Sequence, residues 1–134
     1  MDLYLIESDL WTVYALDSVL MFLESIESQY SGMVAQLMPL LERVASDARG
    51  PRSLNKKICH RVDEQGDIWQ IRKGRIRVLW FYDEGRVIIC AHAFLKKDNK
   101  TPKREKEQAR SAKAAYLDAR QAGRIRVIDG TEDG

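Results

Sequence analysis

The feature that most constrains this chain is a change of hydrophobic period near residue 58. Upstream, Tyr30, Met33, Val34, Leu37, Leu40, Leu41 and Val44 recur every three or four residues, which lines them along one face of a helix. From Ile58 onward apolar residues alternate, and turn residues around Gly66, Gly74 and Gly85 arrive at short intervals. That pattern predicts a meander of hairpins, with strands over residues 57–62, 68–73, 75–82 and 86–96. A helical half and a strand half within 134 residues fit one α+β domain and leave no room for a second. In the third strand Ile76, Val78, Trp80 and Tyr82 share one face, and Arg75, Arg77, Leu79 and Phe81 the other. One face therefore reads as core, and the other carries basic residues at one end.

The flanks complete the pattern. Residues 10–16 (LWTVYAL) read as a strand, while the first nine residues form an extension without a firm assignment. Asp17 or Ser18 can cap a helix carrying Val19, Leu20, Leu23 and Ile26. Pro39 removes a hydrogen bond from the next helical stretch, so a kink or restart is expected near Met38. Two N-terminal helices over residues 18–48 are thus expected to pack on a small antiparallel sheet, with Val78 and Trp80 toward them. A C-terminal helix begins where Thr101 can cap and Pro102 takes the first helical position, and Gly123 closes it. Its apolar positions are mostly Ala109, Ala112, Ala115 and Ala119, so it packs lightly or against a partner. Residues 125–128 offer a short edge strand. The organisation expected is a single domain over 1–123 and a tail over 124–134.

Charge is distributed unevenly. The net charge of +2 divides into 2 − 8 = −6 over residues 1–51, 16 − 8 = +8 over 52–110, and balance beyond. Clustered lysine and arginine suit a polyanion, because they displace counterions from phosphates; the alternative is a solvated basic surface that offsets the acidic half. Cys59 and Cys90 have neither the density of a disulfide framework nor a zinc-ligand spacing. No glycine-rich phosphate loop and no run of about 18 apolar residues is present, so neither a cofactor nor a membrane is expected and the cytoplasm is the expected location.

The segment WQIRKGRIRVLWFYDEGRVIICAHAFLKKDNKTPKREKEQA begins at Trp69 and contains an Arg72–Gly74–Arg77 hairpin and the run from His92 to Pro102. It resembles the phage-derived HigB-type toxins of the RelE/ParE superfamily, whose pattern pairs two strand arginines with a segment of the form His-Gly-Phe-x-Lys-Lys-x-x-Lys-Thr-Pro. The resemblance departs from the pattern at Gln70, where a carboxylate is usual, at Ile76 for an aromatic, and at Ala93 for a glycine. It implies a RelE-like fold and the toxin of a type II toxin–antitoxin system. Its activity would be an endoribonuclease or mRNA interferase, acting on mRNA at the ribosome. A helix-turn-helix antitoxin would be its partner.

Metal-free RNA cleavage removes a proton from the ribose 2′-hydroxyl, neutralises a pentacoordinate phosphorane and protonates the 5′-oxygen. Arg72 and Arg77 match the two strand arginines of the resemblance and suit bidentate phosphate contact; otherwise they are strand-end surface residues. His92 is the imidazole of the matched segment, suited to proton transfer near neutrality, or a hydrogen-bonded structural histidine on the strand parity of Ile88, Cys90 and Phe94. Lys73, Arg75, Lys96, Lys97 and Lys100 either grip RNA or are solvated turn and loop residues. Trp69, Trp80 and Phe81 either stack bases or belong to the core. The competing reading is a non-catalytic binder on the same fold, as in the gyrase-poisoning ParE branch or a phage regulatory protein.

Overall fold

A computed structural model of the chain describes residues 1–97 and 101–129. Strands β1 (Asp2–Ser8) and β2 (Thr12–Leu16) lead into helix α1 (Asp17–Ser46) and a short 3-10 helix at Gly50–Ser53. Strands β3 (Cys59–Asp63), β4 (Ile68–Lys73), β5 (Ile76–Asp83) and β6 (Val87–Leu95) follow, then helix α2 (Lys103–Gln121) and β7 (Arg126–Ile128). The strands form one seven-stranded sheet in the order β3-β4-β5-β6-β2-β1-β7. It is mixed: β2 runs parallel to β6 and β7 parallel to β1, and the other neighbours are antiparallel.

This architecture corrects the expectation of two N-terminal helices on a small antiparallel sheet. One bent helix spans the region, and its break lies at Tyr30 (φ −128°, ψ 31°) rather than near Met38. Pro39 is tolerated because it and Ala35, whose carbonyl loses its partner, both face solvent. At Tyr30 a tertiary contact is available instead: the Arg75 Nη1 donates to the Tyr30 hydroxyl at 3.3 Å, and the guanidinium lies 6.0 Å from the ring centroid. The sheet is larger than expected because residues 2–8 pair with β2 and bury Leu3, and β7 pairs with β1 in turn.

Both faces of the sheet are covered. Val19, Ile26, Leu37, Leu41 and Val44 of α1 pack against Ile71, Ile76, Val78, Trp80, Ile88 and Cys90. On the opposite face Ala109 and Tyr116 of α2 pack with Ile68, Leu79, Phe81, Ile89 and Phe94. The alanine-rich α2 is reinforced by polar contacts. Tyr116 donates to Asp83 at 2.5 Å, Arg120 pairs with the same carboxylate, Arg110 pairs with Asp63 at 3.3 Å, and the Lys113 Nζ donates to the Gly66 carbonyl at 2.8 Å. Burial favours a protonated Asp83, but Tyr116, the Glu84 N–H and Arg120 outweigh it and hold its pKa below the ordinary value.

A depressed folded-state pKa contributes stability above the unfolded value of about 3.9 and loses it as pH falls through the folded value. Asp83→Asn should therefore lower stability at pH 7 and remove part of the acid-induced loss below about pH 4, read from urea melts across pH. The β4–β5 turn gives a second test. Gly74 has φ +57°, and a Cβ there would lie 2.6 Å from the Met33 sulfur. Gly74→Ala should cost about 1–2 kcal/mol in the same assay, and an unchanged midpoint would contradict that account.

Candidate phosphate-binding site

Register places the candidate site on the α2 face of the sheet, at the end where α2 begins. Arg72 pairs directly with Arg77 across β4 and β5, Gln70 pairs with Leu79, and His60 of β3 pairs with Gln70. Directly paired residues share a face, as do residues two apart on a strand. Leu79 lies beneath α2, so His60, Gln70, Arg72 and Arg77 all point to that side. There His60, Gln70, Arg72, Lys96, Thr101 and Lys106 line a mostly polar cavity of about 430 Å³. The Thr101 hydroxyl donates to the Gln70 Oε1 at 3.0 Å, tying the segment before α2 to β4.

The electrostatics of this end differ from those of the rest of the fold. Arg77 is only 5% exposed, and its Nη1 donates to the carbonyls of Gly74 (2.7 Å) and Ile76 (3.0 Å). Its Nε has no hydrogen-bond partner among the described residues. Burial and then the neighbouring Arg72 lower the Arg77 pKa, and burial followed by Arg77 and Arg72 lowers that of Lys96. Among the described residues none of these three cations has a carboxylate within ion-pair distance, whereas the arginines further along α2 do. Arg72 and Lys96 line the polar cavity and Arg77 lies buried beside them; a phosphate with several negative oxygens would relieve the repulsion among the three.

His92 reaches the same face by a device that strand parity hides. Between Leu79/His92 and Trp80/Cys90 the β5–β6 register shifts, leaving Ala91 as an extra residue. This β-bulge reverses the alternation, so that Ile88 and Cys90 face α1 while His92 and Phe94 face α2. His92 therefore does not share the side of Ile88 and Cys90. Its Nε2 lies 2.5 Å from Oε2 of the buried Glu105, in the first turn of α2, and its ring stacks on Phe94 with centroids 6.0 Å apart.

The structure thus gathers Arg72, Arg77 and Lys96 and sets His92 on their face, engaged by Glu105. Lys73 and Arg75 lie toward the other face, although the Arg75 Nε donates to the Lys96 carbonyl at 3.3 Å. Arg75 turns to Tyr30 on α1, and Lys73 is in register with Ile76, which packs on the α1 side. Lys97 is exposed just beyond β6, and Lys100 lies outside the described residues. Trp80 and Phe81 are fully buried core, leaving Trp69 as the half-exposed aromatic. Sequence reasoning missed Glu105, Gln70 as a wall residue, and above all His60, whose Nδ1 is buried without a hydrogen-bond partner among the described residues. The signal that could have found His60 is its place opposite Gln70, which is two residues from Arg72 on β4 and so shares its face. Among the described residues no three His, Cys, Asp or Glu side chains cluster as a metal site, and no helix is long and apolar enough to cross a membrane.

Residues 24–114 match the family described as Phage derived protein Gp49-like (DUF891). That span includes most of α1, the β3–β6 meander and the first half of α2. Comparison with curated proteins gives no match.

If the cation cluster is an anion site, Arg72→Ala should leave the ligand-free protein as stable or up to about 1 kcal/mol more stable at low salt, because a like charge is removed. Inorganic phosphate should raise the Tm of the parent protein, and this rise should vanish in the variant. Equal phosphate stabilisation of both would remove Arg72 from the site.

Proposed function

The chain belongs to the phage-derived Gp49-like family of the RelE/ParE-like toxin superfamily, and we propose on that premise that it is the toxin of a toxin–antitoxin pair and cleaves RNA. The observation that supports this most is the set of Arg72, Arg77 and Lys96, uncompensated by any described carboxylate, beside a cavity that also holds His60. A structural cluster of this kind would be expected to carry acidic partners, as it does elsewhere on α2.

In this reading a ribose 2′-hydroxyl attacks the adjacent phosphorus as its proton passes to a base. The P–O5′ bond breaks, the 5′-oxygen takes up a proton, and the products carry a 2′,3′-cyclic phosphate and a 5′-hydroxyl. Arg72 and Lys96 bind the non-bridging oxygens and stabilise the charge that grows in the phosphorane. Arg77, fixed by two turn carbonyls, contributes charge without needing to reorganise. His92 carries the proton, and Glu105 orients its ring. Lys97 extends the basic path toward substrate. The finer reading is a HigB-type mRNA interferase acting on the ribosome in the cytoplasm and silenced by a helix-turn-helix antitoxin. The basic surface, which otherwise attracts RNA indiscriminately, is the feature such an antitoxin would cover.

Primer extension on a defined transcript, with and without ribosomes, tests the reading. Cleavage ends bearing 2′,3′-cyclic phosphate are expected. Arg72→Ala should lower the rate about 10²–10³-fold with the fold intact, the usual loss for one preorganised charge-stabilising donor. His92→Gln should slow cleavage while leaving RNA affinity nearly unchanged, and an equal effect on affinity would reassign His92 to holding α2. Growth inhibition without any cleavage would favour the non-catalytic binder.

A further inference from the structure

On the other side of β3 from the basic pocket lies a second cavity, of about 650 Å³, between the Gly50–Ser53 helix and the β3–β4 edge. We propose that it is a nucleobase subsite, which seats a base next to the phosphate held by Arg72 and Lys96; this rests on the RNA-cleaving reading above.

The walls of the cavity are aromatic and apolar, with Leu54, Cys59, Trp69 and Tyr82, and Arg52 and Lys56 add positive charge. Among the described residues no aspartate or glutamate lines it. Its volume lies within the roughly 300–1,000 Å³ typical of small-molecule sites. A smaller recess of about 320 Å³ between Trp11, Arg52, Trp69 and Tyr82 adjoins it through shared walls. An apolar interior with only cations among its charged groups suits a group that is flat, aromatic and attached to phosphate.

Trp69 is held ready for stacking. Arg61, Trp69 and Trp80 are successive cross-strand partners, so the Trp69 side chain lies between the other two. On one side the buried Trp80 ring stacks on it at 5.7 Å and 26°, and Tyr82 meets it edge-on at 5.6 Å, which fixes its plane. On the other, the planar Arg61 guanidinium lies 6.0 Å from its centroid, where a planar base would stack. Arg61 is a replaceable occupant. Its side chain is 44% exposed and, among the described residues, pairs with Glu64 (3.4 Å) and Asp67 (3.6 Å) on the surface, contacts that contribute little.

Continuity with the basic pocket identifies the ligand. His60 and Arg61 line both cavities, and as neighbours on a strand they point to opposite faces. β3 is an edge strand of the sheet, and among the described residues no further strand blocks passage from one face to the other there. A single RNA strand crossing that edge leaves its phosphate on the α2 side and turns a neighbouring base onto Trp69. An apolar peptide would fill the cleft equally well but would leave Arg52 and Lys56 without the anionic counterpart that the next phosphate of an RNA strand supplies.

The test titrates the protein with adenosine 5′-monophosphate, ribose 5-phosphate and inorganic phosphate, following Trp69 by its indole N–H resonance. The adenine nucleotide should shift that resonance and bind about 5- to 150-fold more tightly than ribose 5-phosphate, the range given by one base stacked on an aromatic ring. Trp69→Leu should reduce its affinity to that of ribose 5-phosphate without altering phosphate binding. Arg52→Glu, at an exposed position that leaves the core untouched, should also weaken the nucleotide and spare phosphate. If phosphate binds but the adenine adds nothing, or the Trp69 resonance does not move, the subsite is refuted and the RNA-cleaving reading stands. If phosphate itself fails to bind, both fall.

Discussion

Six consecutive residues of β5, Ile76 to Phe81, are buried, and that double-sided burial is the constraint on which the rest of the structure depends. A strand can be buried on both faces only if something covers each, so α1 packs on the side of Ile76, Val78 and Trp80 and α2 on the side of Leu79 and Phe81. Arg77 is the one charged residue in the run. Its guanidinium cannot reach bulk water freely and takes the carbonyls of Gly74 and Ile76 instead. A buried charge without a counter-ion is costly, and its position beside Arg72 and Lys96 adds repulsion. Such an arrangement makes physical sense where an anion completes it.

The contrast along α2 sharpens this. Its middle and C-terminal turns are fastened to the sheet by matched charges, Arg110 with Asp63 and Arg120 with Asp83. At its N-terminal end the fastening is different in kind, Thr101 to Gln70 and Glu105 to His92, and both contacts leave the cations unneutralised. Gln70 occupies the position at which the resemblance leads one to expect a carboxylate. A carboxylate there would face Arg72 and Arg77 and partly neutralise them, so the neutral amide keeps the pocket more positive while preserving the hydrogen bond to Thr101. The helix is thus held at both ends, and the open charge is confined to one corner.

Much of this was legible in the sequence because it is set by neighbours in the chain. The glycine-marked hairpins, the alternation of β5 and the placing of Arg72 and Arg77 on either side of a turn at Gly74 follow from local period and turn chemistry. The alanine-rich character of α2 is likewise visible, although its packing on Leu79 and Phe81 is not. Other features depend on contacts between distant segments. The bend of α1 follows Tyr30 meeting Arg75 rather than Pro39, because a proline on the solvent face breaks only a bond that water can replace. Residues 2–8 carry a mixed pattern that becomes a strand only once β2 offers an edge.

The side chains that give the site its character show the same division. The sequence by itself determined that Arg72 and Arg77 lie on consecutive strands joined at Gly74, whereas their direct pairing depends on a two-residue turn at Gly74 and Arg75, which shifts the register from the one that strands 68–73 and 75–82 imply. Which face His92 joins was decided by tertiary structure, because the extra residue Ala91 reverses parity and only the pairing of β6 with β5 creates that bulge. The same holds for Glu105, which helix docking brings to His92, and for His60, which strand order brings to the pocket of Arg72. Local period encodes a residue's neighbours along the chain, while the gathering of cations at one pocket and the meeting of imidazole with carboxylate depend on how the sheet closes and where α2 comes to rest.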